Sequence, residues 1–344
     1  MPSQHRITIL DVAREAGVST ATVSRVLNQR QGEIKISETT KKRVLEAVER
    51  LGYQRNPLAS ALRLDRTGII GAITRDINAV FLSRMARELQ HVAHQRGTEL
   101  LIGHAERDMD TINRQLSVMY SHWFDGLILI GDLPEAYQAV IHNLERDVKP
   151  FVSVACGPQA SPPFVNVDEA SGVRLALDYL YNFGHRRIAY IGNQERAGVR
   201  DRLTHFKGYI QEKQLFWTED YLQLAPITRR DAVDCVQNLL RLPTPPTAIF
   251  CATDLQAIGA ISGAWQIGWR VPEQISIIGF DGIEEAADVS PALTTVRQPF
   301  ETMAVEALQL LMGMIADPSE DKLQKRIIVQ PELTIRQSCA PPAT

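Results

Sequence analysis

Apolar positions fall at helical spacing in three short bursts near the start of the chain. Thr8 is placed to cap a first helix, with Asp11 three residues on to meet the exposed N–H groups of the first turn. Leu10, Val12, Ala13 and Ala16 form its inward side, Arg14 and Glu15 stay outside, and Gly17 supplies a left-handed stop. Val18 plugs the corner. Ser19 caps a second helix over residues 20–28, whose inward side is Val23, Val26 and Leu27. A third helix begins after Ser37, carries Val44, Leu45, Val48 and Leu51, and ends at Gly52. From Thr67 the rhythm changes to short apolar runs alternating with helical patterns. The runs at 69–73, 99–103, 126–130 and 150–154 read as one series of strands, and those at 164–167, 187–191, 248–252 and 275–280 as a second. Helical stretches at 81–96, 169–183, 202–212, 231–240 and 255–267 separate them, and 294–297, 300–315, 327–329 and 333–335 follow as strand, helix, strand and strand.

Helix, glycine turn, short helix is the helix-turn-helix arrangement, and strict strand–helix alternation predicts parallel sheets covered on both faces. The expected architecture is a small all-α helix-turn-helix head over 1–55, a linker over 56–66 and an α/β body over 67–344. The two series divide the body into two parallel-sheet lobes, the first about 67–164 and 298–325, the second about 165–297 and 326–344.

Charge separates the same parts. Residues 1–66 hold 12 Lys and Arg against 7 Asp and Glu, a net of +5, while the other 278 carry 25 against 33, a net of −8. A basic head on an acidic body suits a polyanionic partner for the head. The recognition helix has to enter a major groove about 12 Å wide. Thr20, Ala21 and Arg25 lie on its outward side as candidate base contacts, Arg25 for a guanine edge and the two methyl-bearing residues for thymine. Ser19, Thr22, Ser24 and Asn28 are short polar groups suited to phosphate oxygens.

Several chemistries are excluded. The sequence contains no G-x-G-x-x-G, G-x-x-x-x-G-K, G-x-S-x-G or H-E-x-x-H, no acid–base pair follows from spacing, and the expectation is a protein that is not an enzyme and needs no cofactor. Cys156, Cys235, Cys251 and Cys339 form no C-x-x-C pair, and His91 and His94 lack a third ligand, so neither a disulfide framework nor a metal site is expected. The first residues lack the apolar core of a secretory signal and no apolar run approaches the roughly 18 residues of a membrane span, which reads as soluble and cytoplasmic. No leucine heptad tail follows the last strand, and Trp265 and Trp269 read as packing or interface residues.

Ligands of open α/β sheets bind beyond the carboxyl ends of the strands. That rule picks out Arg75, Asp76, Asn78, Phe81 and Asp132 in the first lobe. In the second it picks out Asn193, Glu195, Arg196, Arg200, Arg202, Thr253, Asp254 and Asp281. Polar groups converging with an aromatic suit a hydroxyl-rich small molecule. Thr253 reads equally as the cap of the next helix, Asp281 before Gly282 as a turn residue, and Arg75 as a solvated loop cation.

TILDVAREAGVSTATVSRVLN followed by ISETTKKRVLEAVERLGYQRNPLASALRLDRTGIIG resembles the N-terminal signature of the lactose repressor/galactose repressor (LacI/GalR) family of bacterial transcription regulators. The body segments FCATDLQAIGAI and ISIIGFDGIEEAADVSPALTTVRQP resemble the family's effector domain, whose fold is like that of the periplasmic sugar-binding proteins. The resemblance implies that NPLASALRL is a hinge helix formed on DNA, with Asn56 in it, Ala59 where paired hinges pack and Leu62 as the minor-groove wedge. It also implies effector contacts at Asp281 and Phe81. His205 stands where relatives often carry Arg, Ala155 where they are often polar, and Thr253 where many have Asn, which leaves the effector's identity open.

The expected function is a ligand-responsive transcription regulator, a repressor, that binds a near-palindromic double-stranded DNA operator as a homodimer. A sugar, nucleoside or sugar acid between the lobes would tune its affinity, with inducer and corepressor both open. Two alternatives remain: control of the same head by a protein partner, and a solute-binding or enzymatic α/β protein with an incidental helical head.

Overall fold

The computed structural model describes residues 7–27, 36–53, 66–104, 114, 124–132, 150–157, 160–317 and 320–343. The chain divides between Thr67 and Gly68 into two units. In the first, α1 (Ile9–Ala16), α2 (Thr20–Leu27) and α3 (Glu38–Leu51) pack around Val12, Ala13, Ala16, Val23, Val44 and Ala47. The caps are set by sequence: the Asp11 carboxylate accepts the Thr8 N–H at 2.9 Å, and Ser19 Oγ and Ser37 Oγ accept the N–H groups of Thr22 and Thr40 at 3.1 and 3.2 Å. Gly17 at φ 63° and Gly52 at φ 60° close α1 and α3 in the left-handed conformation.

Leu10 and Leu45, expected to face inward, are 63% and 54% exposed. The buried stripe of α1 runs Ile9, Val12, Ala13, Ala16 and that of α3 runs Val44, Ala47, Val48, Leu51, the i, i+3, i+4, i+7 pattern. Leu10 and Leu45 sit one residue, or about 100° of helix, off those stripes. Asn28, Asn56, Ala59 and Leu62 lie outside the described residues.

The second unit opens with β1 (Ile69–Thr74), α4 (Val80–Gln95), β2 (Glu99–His104), β3 (Gly126–Ile130), β4 (Phe151–Val154) and β5 (Phe164–Val167). It continues with α5 (Glu169–Asn182), β6 (Ile188–Gly192), α6 (Ala197–Glu212), β7 (Leu222–Leu224), α7 (Arg229–Leu240), β8 (Ala248–Cys251), α8 (Asp254–Gln266) and β9 (Ser276–Asp281). Last come α9 (Glu285–Asp288), β10 (Thr294–Arg297), α10 (Phe300–Ala316), α11 (Glu320–Leu323), β11 (Arg326–Val329) and β12 (Glu332–Thr334). Among the described residues the strands form two six-stranded sheets, ordered β11-β5-β4-β3-β1-β2 and β12-β10-β9-β8-β6-β7. Every pairing is parallel except β10 with β12.

Strand alternation sorts the core. In β6, Ile188 and Tyr190 point to α5 and α6, joining Phe206, Phe250 and Phe280, while Ala189 and Ile191 point to α7 and α8. One face of the first sheet carries Ile70, Ala72, Ile128, Ile130, Val152 and Val154 against α4 and α10.

Two strands lie in the other lobe from the one expected. β5 pairs with β4 (Ser153 opposite Phe164, Val154 opposite Val165), and β11 runs parallel to β5, so both belong to the first sheet. Four-residue strands, Phe-Val-Asn-Val and Arg-Ile-Ile-Val, carry no label for one sheet or the other; pairing decides it. The chain therefore crosses between lobes after Val167, Arg297 and Val329, rather than near 164, 297 and 325. Gln330, on the third crossing, donates to Asp168 Oδ2 on the first at 3.2 Å and accepts from Ser171 Oγ at 3.0 Å. Among the described residues no helix is long and apolar enough to cross a membrane.

Candidate functional site

On α2, Thr20, Ala21 and Arg25 are exposed, as is Ser19 before it, while Thr22 and Ser24 are half-buried. Val23, the buried residue of the helix, anchors it to the head's core and turns the others outward. Ser19 Oγ and Thr22 Oγ1 lie 2.9 Å apart as part of the cap, which fixes both hydroxyls at the helix N-terminus, where backbone N–H groups favour anions.

In the body, a cavity of about 650 Å³ lies at the carboxyl ends of both sheets. Its first-lobe wall includes Arg75, Asn78, Phe81 and Asp132, and its second-lobe wall Arg202, His205, Thr253 and Asp281. Parallel strands deliver these residues together because every strand but β12 ends on the same side of its sheet.

Arg75 donates through Nη1 to Asp132 Oδ1 at 2.5 Å and to the Asp132 carbonyl at 3.0 Å. The other Asp132 oxygen accepts the Ala197 N–H at 2.9 Å, so a first-lobe carboxylate caps second-lobe helix α6. At another place between the lobes, Arg84 on α4 donates to the Gly282 carbonyl at 2.6 Å and Arg87 pairs with Glu284.

The second-lobe floor is built around Arg202. Its Nε donates to Glu169 Oε2 at 2.6 Å, Nη2 to Glu169 Oε1 at 3.1 Å, and Nη1 to Asp281 Oδ1 at 3.0 Å and the Ala252 carbonyl at 2.5 Å. The guanidinium lies 3.7 Å from the centroid of the Phe280 ring. Burial opposes the charge of Arg202, but the two carboxylates outweigh it and hold its pKa above the ordinary value. Burial raises Glu169 and Asp281 against the pull of Arg202.

Behind Asp281, the buried Asp254 accepts through Oδ2 from the N–H groups of Gly282 and Ile283 at 2.7 and 2.9 Å, and through Oδ1 from Thr295 Oγ1 at 2.5 Å. Burial, with the Asp281 charge adding to it, pushes the Asp254 carboxyl up to about 8. These bonds hold the turn after β9, where Asp281 itself adopts φ 120°. The approach is close enough that a Cβ on Gly279 would stand 2.2 Å from Asp254 Oδ1.

Four of the residues picked out by the carboxyl-end rule do not line the cavity: Asn193, Glu195, Arg200 and Asp254. Asn193 is spent on its own turn, donating to the Ala225 carbonyl at 3.1 Å and accepting from the N–H groups of Glu195 and Arg196. Arg200 is exposed, because two residues along a helix turn it about 200° from Arg202. Thr253 does cap α8, its Oγ1 accepting the Gln256 N–H at 3.3 Å, while also lining the cavity. Sequence reasoning missed Glu169, Asp168, Gln298 and Phe164. The carboxyl-end rule, applied to the strands at 164–167 and 294–297 as well, would have found the first three. Among the described residues no three His, Cys, Asp or Glu side chains are grouped to hold a metal ion.

Comparison with known proteins places this arrangement. Residues 8–56 match the family described as bacterial regulatory proteins, lacI family, and residues 177–339 match the periplasmic binding protein-like domain. The HTH-type transcriptional repressor PurR of Aliivibrio salmonicida is 33% identical over 336 residues, covering 96% of this chain and 98% of that protein. The chain belongs to the lacI family of bacterial regulatory proteins. As a member it is a DNA-binding transcription regulator, not an enzyme.

Catabolite control protein A of Priestia megaterium is 32% identical to this lacI-family chain over 309 residues, 89% of this chain and 91% of that one. The crystal structure of the lac repressor dimer bound to operator and the anti-inducer ONPF shares its fold, with a TM-score of 0.83 at 24% identity, covering 97% of this chain and 99% of that chain. The structure of the transcriptional regulator CelR–cellobiose complex gives a TM-score of 0.70 at 26% identity and covers 97% of this chain and 100% of that one.

Proposed function

We propose that this lacI-family regulator is a cytoplasmic repressor that binds a near-palindromic operator as a homodimer, released or recruited by a hydroxyl-rich small molecule held between its lobes. The observation that carries the reading is the cavity walled from both lobes by Arg75, Phe81, Asp132, Arg202 and Asp281, on a chain whose head presents Thr20, Ala21 and Arg25 to solvent. Two heads related by a two-fold axis read two half-sites, so operator symmetry follows from protein symmetry. Thr20, Ala21 and Arg25 take base edges, and Ser19, Thr22, Ser24 and Asn28 take phosphates. The hinge roles of Asn56, Ala59 and Leu62 rest on the family resemblance. Effector contacts are assigned to Arg75, Asn78, Phe81, Asp132, Arg202, His205, Thr253 and Asp281. A ligand that prefers one lobe angle shifts the operator affinity by a coupling of about 1–3 kcal/mol.

The named repressors among the relatives and the effector-bearing structures among the neighbours support this reading. Selection from randomised duplexes with the full-length protein is expected to enrich a near-palindrome. A thermal-shift screen of sugars, nucleosides and sugar acids is expected to return a ligand that changes binding to that site. Enrichment of no sequence, with or without cell extract, would remove the DNA-binding half of the proposal.

A further inference from the structure

Two carboxylates, Glu169 and Asp281, share the buried floor of the second lobe with one guanidinium, and a third, Asp254, lies behind them and keeps its proton at neutral pH because burial pushes it up to about 8. Glu169, Asp254 and Asp281 are all in the wall or directly behind it, and among the described residues Arg202 is the cation that pairs with any of them. Arg202 is already largely committed. Its donors go to Glu169, Asp281 and the Ala252 carbonyl, and Phe280 covers one face. One N–H, on Nη2, is left for a ligand contact, so Arg202 has no two-pronged fork to offer a carboxylate or phosphate.

Asp281 is in the opposite position. Oδ1 accepts from Arg202 Nη1 at 3.0 Å and from Gln298 Nε2 at 2.9 Å, while Oδ2 accepts from nothing among the described residues. The side chain is only 8% exposed and lines the cavity. That oxygen is the acceptor left open on a side chain that lines the cavity, so a donor on a ligand can satisfy it. The remaining cations of the cavity do not change that balance. Arg75 is neutralised by Asp132 in the other lobe, and Arg196 and Arg326 are half-buried and exposed, where water screens them.

We infer that the effector of this cleft carries a protonated amine and that Asp281 Oδ2 receives it. The inference rests on the cleft being a small-molecule site and narrows its ligand by charge. An ammonium supplies both the missing donor and the missing positive charge, a hydroxyl supplies the donor alone, and a carboxylate meets a floor that is already over-supplied with negative charge. Amino sugars and amine-bearing nucleosides fit; uronic and aldonic acids do not.

The test uses calorimetry and thermal shift on the full-length protein with two matched triples, at a pH where the amines are protonated. These are glucosamine, glucose and glucuronate, and galactosamine, galactose and galacturonate. In at least one triple the amine is expected to bind about tenfold or more tighter than the hydroxyl compound, with no measurable binding of the uronate. Asp281→Asn keeps an acceptor for Arg202 and Gln298 but replaces Oδ2 with an N–H, and is expected to abolish the amine preference. Glu169→Gln removes one floor charge, leaves Asp281 in place and is expected to reduce the preference, a readout that stands if the first variant does not fold. A uronate or neutral sugar binding tightest, or the ranking surviving in folded Asp281→Asn, overturns the inference. Silence from all six compounds overturns it as well if a wider screen then returns a binder without an amine. That result keeps the cleft as an effector site, whereas a screen in which no small molecule of any charge binds removes the site and the amine together.

Discussion

Arg202 and Asp254 show how burial turns single residues into constraints. Removing Arg202 would leave Glu169 and Asp281 without their cation, whereas Asp254 has no cation and relies on two backbone N–H groups and a hydroxyl. Because burial raises the Asp254 carboxyl from 3.8 to about 8, the folded protein holds its proton more tightly than the unfolded chain does across that range. Its contribution to stability is therefore complete below the unfolded value and lost as pH rises through about 8. Protonated Asp254 can donate from Oδ1 to Thr295 Oγ1, whose own hydrogen then turns to the Val296 carbonyl at 3.4 Å, and Oδ2 keeps both amides. Asp254→Asn imitates that state. Its melting temperature is expected to gain on the parent as pH rises from neutral through about 8, and parallel pH profiles would contradict the assignment. On the head, Arg25 has no ion-pair partner among the described residues and an exposed side chain. Arg25→Ala is expected to cost about 1–3 kcal/mol on the selected operator and to relax preference at one base position, which a binding series over single-base operator variants measures. Uniform weakening on every sequence would make it a phosphate contact instead.

At the level of elements, periodicity carried most of the information. The strands at 126–130, 164–167 and 294–297 and the helix α1 coincide with the patterns that mark them: the first is an unbroken apolar run, the next two are short and bury Asn166, or Thr294 and Thr295, beside apolar residues, and α1 packs a helical stripe into a core. β7 (Leu222–Leu224) was not legible: three edge residues, none buried, leave no pattern. The lobe membership of β5 and β11 was not legible either: β11 pairs with β5 across more than 150 positions, and nothing in the four residues of β5 says whether it joins β4 or opens the second sheet. In the site, Arg75, Asp132 and Asp281 followed from their places after strands, while Asn193 looked equally suitable and turned out to be consumed by its own turn. Asn favours turns of that kind, but residue type alone does not say whether its side chain closes the turn or meets a ligand. The α7–α8 pair gives the element-scale prediction. A Cβ on Gly259 would stand 2.2 Å from the Arg229 carbonyl oxygen and 2.8 Å from its Cα, both backbone atoms that cannot move aside. Gly259→Ala is expected to force the two helices apart and destabilise the fold by about 1–3 kcal/mol, read from the urea midpoint. An unchanged midpoint would show that the helices slide without loss.

For the body as a whole, three chain crossings permit a change of lobe angle, and the contacts between the lobes decide where that angle rests. Asp132 is central because one carboxylate serves both lobes, taking Arg75 on its own side and the first N–H of α6 on the other. Arg84 and Arg87 bridge separately to Gly282 and Glu284, so loss of Asp132 should loosen the cleft without freeing it. Asp132→Ala removes both side-chain bonds and leaves Arg75 with the carbonyl of residue 132 but no carboxylate beside the cavity. Asp132→Asn keeps an acceptor for one of them but loses the charge that complements the α6 N-terminus. The expectation is a graded response, parent then Asn then Ala, in hydrogen exchange at the N–H groups of the first turn of α6, and in the radius of gyration of the ligand-free body. Each bond is worth no more than about 1–3 kcal/mol, which matches the scale on which an effector must act to shift a two-state equilibrium. If the Ala variant exchanges the α6 amides at the parent's rate, Asp132 does not hold the lobes together. The arginines on α4 would then carry the closure, and Arg84→Ala combined with Arg87→Ala should reproduce the loosening that Asp132→Ala did not.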